Sequence, residues 1–253
     1  MRDLLIDLQF SQCKDLNKDR LRRAAEILFD QKFTLLQKVS GAMRTIQEKT
    51  EISDLIEKHL TASSVDKWAL RFRAYPSYLD GFTNSNLEIV QLGSGYNRLR
   101  IGGLIDFEIV NQREYVEPYA QALRELAVAL YPLMHPEIGL IDNGNKVEVS
   151  EKSVERKAIT SIGWVNFWAP SYVERYGKRF FLEMPGDGKQ VLTDGGIYHQ
   201  LWPTFMAETV KQAKEVHTSV IDYCGEHGVK VKCYAPYIIP THKLRLVDEE
   251  RRR

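Results

Sequence analysis

Residues 159–168, ITSIGWVNFW, run into Ala169-Pro170 and constrain the fold more than any other stretch. They read as a strand that stops at the proline and passes into a helix. Successive strand side chains point to opposite faces, so Trp164, Asn166 and Trp168 share one face and Val165 and Phe167 the other. Both cannot be the solvent face. Such a strand either packs a second core layer on its tryptophan face or offers that face to a partner.

The rest of the chain places this strand at the start of a second half. In the first, DLLIDLQF (3–10) reads as a strand, followed by a long helix capped by Asn17 or Asp15. Leu21, Ala25, Leu28, Leu35, Val39, Met43 and Ile46 recur at helical spacing. The helix is expected to continue, with a break near 48–50, through 52–60. KWALRFRAY (67–75) reads as a strand closed by Pro76, and 86–93 with 97–110 as a hairpin across Gly93-Ser94-Gly95. A helix over 113–134 carries Tyr115, Tyr119, Leu123, Leu126 and Leu130 on one stripe, with Pro118 expected in its first turn. A short strand, 138–142, ends at Asn143-Gly144-Asn145.

A polar stretch, 145–157, separates the halves. The second continues from the 158–168 strand to a helix (170–184), strands 189–193 and 197–202 joined by Asp194-Gly195-Gly196, a helix (204–224) ended by Gly225 or Gly228, and a strand (229–234). The expected class is α+β, with antiparallel sheets flanked by helices. The element order is compatible with two tandem ferredoxin-like βαββαβ halves, 1–145 and 158–240, in one compact unit with a charged tail at 241–253.

With 253 residues, 43% of them hydrophobic, there is apolar material for one large or two small domains. The 35 basic and 34 acidic residues leave a net charge of +1, which argues against a chain that works by attracting phosphate backbones. Three cysteines are too few for a disulfide framework and fit a reducing compartment. MRDLLIDLQF lacks the form of a signal peptide and no apolar run is long enough to span a membrane, so the expected location is the cytoplasm. Neither nucleic acid nor membrane is expected as a partner.

Reactive constellations are sparse. In LGSGYNRLRIGG (92–103), Arg98 occupies the place of the third glycine of a dinucleotide fingerprint, and the segment leads into a strand, so it reads as a turn. Cys224, His227 and Cys233 form C-x2-H-x5-C, with His217 two turns upstream. This is zinc-ligand chemistry, although the thiols read more simply as small buried apolar groups. His199 would serve as a base beside Asp194, or as a half-buried strand residue. Asp106 and Glu108 share a strand face, as acid/base pairs and solvated faces both do. Arg20, Arg22 and Arg23 stand among Asp19, Glu26 and Asp30 on a salt-laced helix face. No nucleophile elbow or metalloprotease signature is present, so no catalytic residue, metal or cofactor is expected.

The aromatic stretch remains. Tyrosine and tryptophan give large contact area with few rotors to freeze, and Tyr172 and Tyr176 fall on one helical face. The order ALYPLMHPEIGLID, SIGWVNFWAPSYVERYG, DGGIYHQL and a helix beginning near Phe205 resembles the bacterial polymorphic-toxin immunity proteins, in particular the immunity-protein-52-like and related type VI secretion immunity families. The resemblance covers about residues 113–223 and leaves the 17–60 helix unassigned. It implies a non-enzyme that protects a toxin-producing cell by binding its cognate toxin and blocking the toxin's active site. Such a contact needs a rigid sheet, a patch of about 800 Å² per partner and a few aromatic anchors. The residues expected to supply it are Trp164 and Trp168, with Tyr172, Glu174 and Tyr176 at the rim. Two alternatives stand beside it: a metal-binding protein or enzyme built on Cys224, His227 and Cys233, and a defence component that self-associates, as a homodimer, through the N-terminal helix.

Overall fold

Among the described residues ten strands form one antiparallel sheet, in the order 188–191, 197–200, 165–168, 136–143, 4–13, 97–105, 82–91, 68–76, 33–39 and 42–45. The structure is a computed structural model describing residues 4–14, 16–39, 42–46, 48, 50–51, 53–54, 56–57, 68–76, 82–91, 96–105, 113–143, 149–206 and 210–233. Along the chain these give β1 (Leu4–Cys13), α1 (Lys18–Asp30), β2 (Phe33–Val39), β3 (Ala42–Thr45), β4 (Trp68–Pro76), β5 (Phe82–Gln91) and β6 (Asn97–Ile105). Then come α2 (Arg113–Met134), β7 (Pro136–Asn143), α3 (Glu151–Glu155), β8 (Ser161–Ile162) and β9 (Val165–Trp168). The remainder is α4 (Pro170–Tyr176), α5 (Lys178–Glu183), β10 (Gly188–Val191), β11 (Ile197–Gln200), α6 (Val210–Glu226) and β12 (Lys232–Cys233).

The α+β class holds; the tandem arrangement does not. Two ferredoxin-like halves would each close a sheet of their own. Instead β9, β11 and β10 extend the sheet from its β7 edge, so one ladder crosses the polar stretch between the halves. Strand β12 does not join it but pairs with β8, in parallel, in a separate two-stranded sheet.

The 17–60 helix is also corrected. Asn17 caps α1, its side chain accepting from the Arg20 amide at 3.0 Å, as expected. The helix then stops at Asp30, where Lys32 takes a left-handed φ of 60° and Phe33 enters β2. Phe33, Leu35 and Val39 fit a period of two as well as one of 3.6, and β2 closes a hairpin with β3. Pro118 falls in the second turn of α2, not the first, because the helix starts at Arg113. The turn at 93–95, Asp106, Glu108 and the 241–253 tail lie outside the described residues.

Strand β1 pairs antiparallel with β6 on one side and β7 on the other, and α2 carries the chain between them across β1. Ile6, Leu8 and Phe10 are buried on the face that α2 covers, with Phe10 edge-on to Tyr131 at 6.4 Å. Gly139, opposite Phe10, has no room for a side chain: a Cβ there would lie 2.5 Å from the phenylalanine ring. On the other face α4 packs on β7 and β9, while Phe181 of α5 stacks 5.4 Å from Trp168.

Candidate partner-binding surface

The tryptophan face is a second core layer. Trp164, Trp168 and Tyr172 are 1%, 0% and 0% exposed, which overturns their expected role as partner contacts. They do not share one environment either. The strand breaks at Gly163-Trp164, where Asn166 folds back, accepting from the Gly163 amide and donating to its carbonyl, both at 2.8 Å. Trp164 then sits edge-on to Phe205 and donates its indole N–H to the Trp202 carbonyl at 2.8 Å. Trp168 packs instead against Tyr172 and Phe181. Burial pushes the Tyr172 hydroxyl well above its ordinary pKa, and the neighbouring Glu137 carboxylate adds to the rise.

Glu174 and Tyr176 do reach the surface, the first exposed and the second half-buried. Gly177 (φ 86°) ends α4 and lets α5 begin at the next residue, so Tyr176 and Phe180 meet at 5.5 Å. Phe180 in turn touches Tyr223 at 5.6 Å and His227 at 5.4 Å, and these two stack at 4.3 Å. The outcome is a ridge, Tyr176–Phe180–Tyr223–His227, with its phenylalanine buried, its tyrosines half-buried and its histidine exposed. Tyr223 and His227 lie outside the stretch that drew attention in the sequence. They come from the C-terminal end of α6 and the residue just beyond it, and their i, i+4 spacing was the available signal.

Hydrogen bonds fix the ridge. Tyr176 donates to the Lys157 carbonyl at 3.0 Å and accepts from the Ile159 amide at 3.3 Å, and Tyr223 donates to the Phe180 carbonyl at 2.8 Å. Beneath it, Glu137 holds the base of α4 to the 150s loop through Lys157 at 2.5 Å and the Ser171 hydroxyl. Burial alone would raise the Glu137 pKa. The hydrogen bonds from Lys157 and Ser171, with the charges of Lys157 and Lys14, outweigh it and hold the carboxyl below its usual range.

The reactive alternatives are dispersed. Cys224 and Cys233 are buried, and burial pushes both thiols up to about 12. His227 faces outward, its Nδ1 2.8 Å from the Tyr223 carbonyl. Among the described residues no three histidine, cysteine or carboxylate groups converge to hold a metal. His199 is fully buried, its Nε2 3.1 Å from the Pro185 carbonyl, and burial lowers its pKa to about 4. It does not pair with Asp194, which accepts instead from the Tyr131 hydroxyl at 3.0 Å and the Gly196 amide at 2.9 Å. Arg20 donates to the carbonyls of Lys14 and Leu133, and Arg22 pairs with Asp19 at 3.4 Å. One electrostatic feature escaped the sequence: Asp7, buried in β1, is bonded by Arg100 Nε at 2.6 Å. Burial raises its pKa to about 6 despite that guanidinium. The only hint was an acidic residue inside an apolar alternation.

The motifs that carry the family resemblance are structural in this fold. The Asp194 bonds fasten the β10–β11 turn to α2, and a Cβ at Gly196 would lie 2.5 Å from the Tyr131 hydroxyl. No protein-family model matches the chain, and no curated protein matches it. Among solved structures, one similar chain belongs to the crystal structure of the toxic C-terminal tip of CdiA from Pseudomonas aeruginosa in complex with immune protein. The identity is 11% and the TM-score 0.34, over 56% of this chain and 87% of that one. A likeness this slight defines neither a fold nor a role. No helix among the described residues is long and apolar enough to cross a membrane.

Proposed function

We propose that the chain is an immunity-type protein, without catalytic turnover, that binds a cognate bacterial toxin and occludes it. The observation that carries this is the half-exposed ridge of Tyr176, Tyr223 and His227, held on a base of Phe180, Phe181 and Trp168. Rigid, partly exposed aromatics over a packed base are what protein interfaces use as anchors. The sequence resemblance over 113–223 supports the toxin as the partner.

The test is a titration of the purified chain with the toxin domain encoded beside its gene, read by calorimetry and by the toxin's own activity. A one-to-one complex that silences the toxin is expected. Tyr223→Ala should weaken it at least about 10-fold, roughly 1.4 kcal/mol, with the melting temperature tracked in parallel. A toxin that neither binds nor loses activity would overturn the proposal.

A further inference from the structure

Strand β10 ends the sheet with an edge that no other strand covers among the described residues. Two bonds show which of its main-chain groups face outward. The Leu192 amide donates to the Gly196 carbonyl at 2.8 Å, closing the turn between β10 and β11, and the Leu201 amide donates to the Trp164 carbonyl at 2.9 Å. Antiparallel partners alternate between bonded and non-bonded pairs. In this register Gly188 and Gln190 therefore turn their main-chain groups toward Gln200 and Tyr198 of β11, while β11 turns those of Ile197 and His199 toward β9. The amides and carbonyls of Lys189 and Val191 are left pointing away from the sheet, without a partner among the described residues.

Edges of this kind are ordinarily blunted by a proline, a bulge or a projecting charge. Strand β10 has no proline and pairs without a bulge. Its one charged side chain, Lys189, bends back, the Nζ donating to the Leu182 carbonyl of α5 at 2.9 Å. Val191, 40% exposed, is one of two large apolar side chains that stand out into solvent among the described residues. The bond to Leu182 also ties this edge to the ridge, since Phe180 lies on the same short helix.

We infer that the β10 edge accepts an extended segment of the protein seated on the ridge, which adds to the sheet through main-chain hydrogen bonds to Lys189 and Val191 and sets an apolar side chain against Val191. This rests on the proposed toxin-binding role and specifies how the toxin is gripped. The occupant is the toxin rather than a second copy of the chain. Four residues span about 13 Å, and two such strands alone bury far less than the roughly 1,200 Å² of a stable pair. A toxin held on the ridge supplies the remaining area, and α5 brings the edge into the same footprint. Main-chain bonds give strand addition its affinity.

The experiment uses the whole chain and the neighbouring-gene toxin domain, with amide exchange followed residue by residue in the free chain and in the complex. The Lys189 and Val191 amides should exchange freely in the chain alone and slow at least about 10-fold in the complex, while Gln190, already bonded to β11, is slow in both. Val191→Pro removes one outward donor at an edge position that proline tolerates, and should weaken binding at least about 10-fold by leaving a carbonyl of the toxin unanswered. Val191→Thr keeps the amide and should bind within about 3-fold of the wild type. Melting curves establish that each variant is folded, and the exchange of the wild type decides the matter if Val191→Pro does not fold. Sedimentation of the free chain should show a monomer; a dimer that Val191→Pro dissolves would give the edge to a second copy and overturn the inference. If the toxin binds and is silenced while both amides go on exchanging freely, strand addition is wrong and the toxin-binding role survives. If the toxin does not bind the wild type at all, both fall together.

Discussion

Strands β1 and β9 are buried on both faces of the same sheet, yet they meet that condition with opposite chemistry. In β1, Ile6, Leu8 and Phe10 fill one face while Asp7, Gln9 and Ser11, equally buried, take the other. Those polar groups need partners: Arg100 for Asp7, and the Val149 amide, at 3.3 Å, for Gln9. In β9, Val165 and Phe167 face one way and Trp168 the other, with Asn166 alone among them. The second region is held by area and shape, the first partly by matched charge and hydrogen bonds. Volume changes should therefore dominate at the Trp168 layer, whereas protonation should be felt at Asp7 in β1 and, with the opposite sign, at His199 of β11, which pairs with Asn166 of β9.

The sharpest way to break that contrast is Trp168→Ala. It removes the ring that Tyr172 and Phe181 pack against, and should cost about 4 kcal/mol in urea denaturation. A loss below about 1 kcal/mol would mean the second layer is loosely packed.

Acid titration sharpens the contrast next. The folded-state pKa of His199 is lowered to about 4, so the unfolded chain binds the extra proton and stability is lost as the pH falls from about 6.5 toward 4. For Asp7 the folded value is raised to about 6, so the folded state binds the extra proton and stability is gained as the pH falls from about 6 toward 3.8. The two act in opposite directions over the same pH range, so each offsets part of the other in the wild type. Asp7→Asn should expose a fall in stability on acidification, and His199→Gln a rise. Parallel profiles for the two variants would refute the assignment.

The smallest of these effects tests the fastening between the regions. Tyr131→Phe deletes the hydroxyl that α2 gives to Asp194 and should cost about 2 kcal/mol, as hydrogen bonds to charged groups do. If Asp194→Asn costs the same and the double variant adds nothing, the two residues act as one contact.

Much of the element order was legible because local signals agreed with the fold. The Asn17 cap, the 113–134 stripe, the proline after Trp168 and the Asp194-Gly195-Gly196 turn each mark a boundary that the structure keeps. The failures share a cause. Phe33 to Val39 satisfies two periodicities, and only pairing with β3 and β4 selects the strand. Sheet continuity across 145–158 is likewise a matter of which edges meet, which no local pattern encodes. For the surface, aromatic content did not tell which rings pack inside and which reach solvent. Trp168 and Tyr172 went inside because α5 brings Phe181 against Trp168, whereas Tyr223 and His227 are brought to Phe180 by the last turn of a helix more than forty residues away.

Strand β1 has a further bearing on how the chain assembles. Its sheet neighbours, β6 and β7, lie far downstream and are themselves separated by α2. It cannot complete its ladders until both have been made and brought back to it, and pairings this distant in sequence close slowly. Because β7 also anchors β9, the same event joins the N-terminal meander to the aromatic region. Loss of β1 should therefore unzip both at once rather than leave either standing.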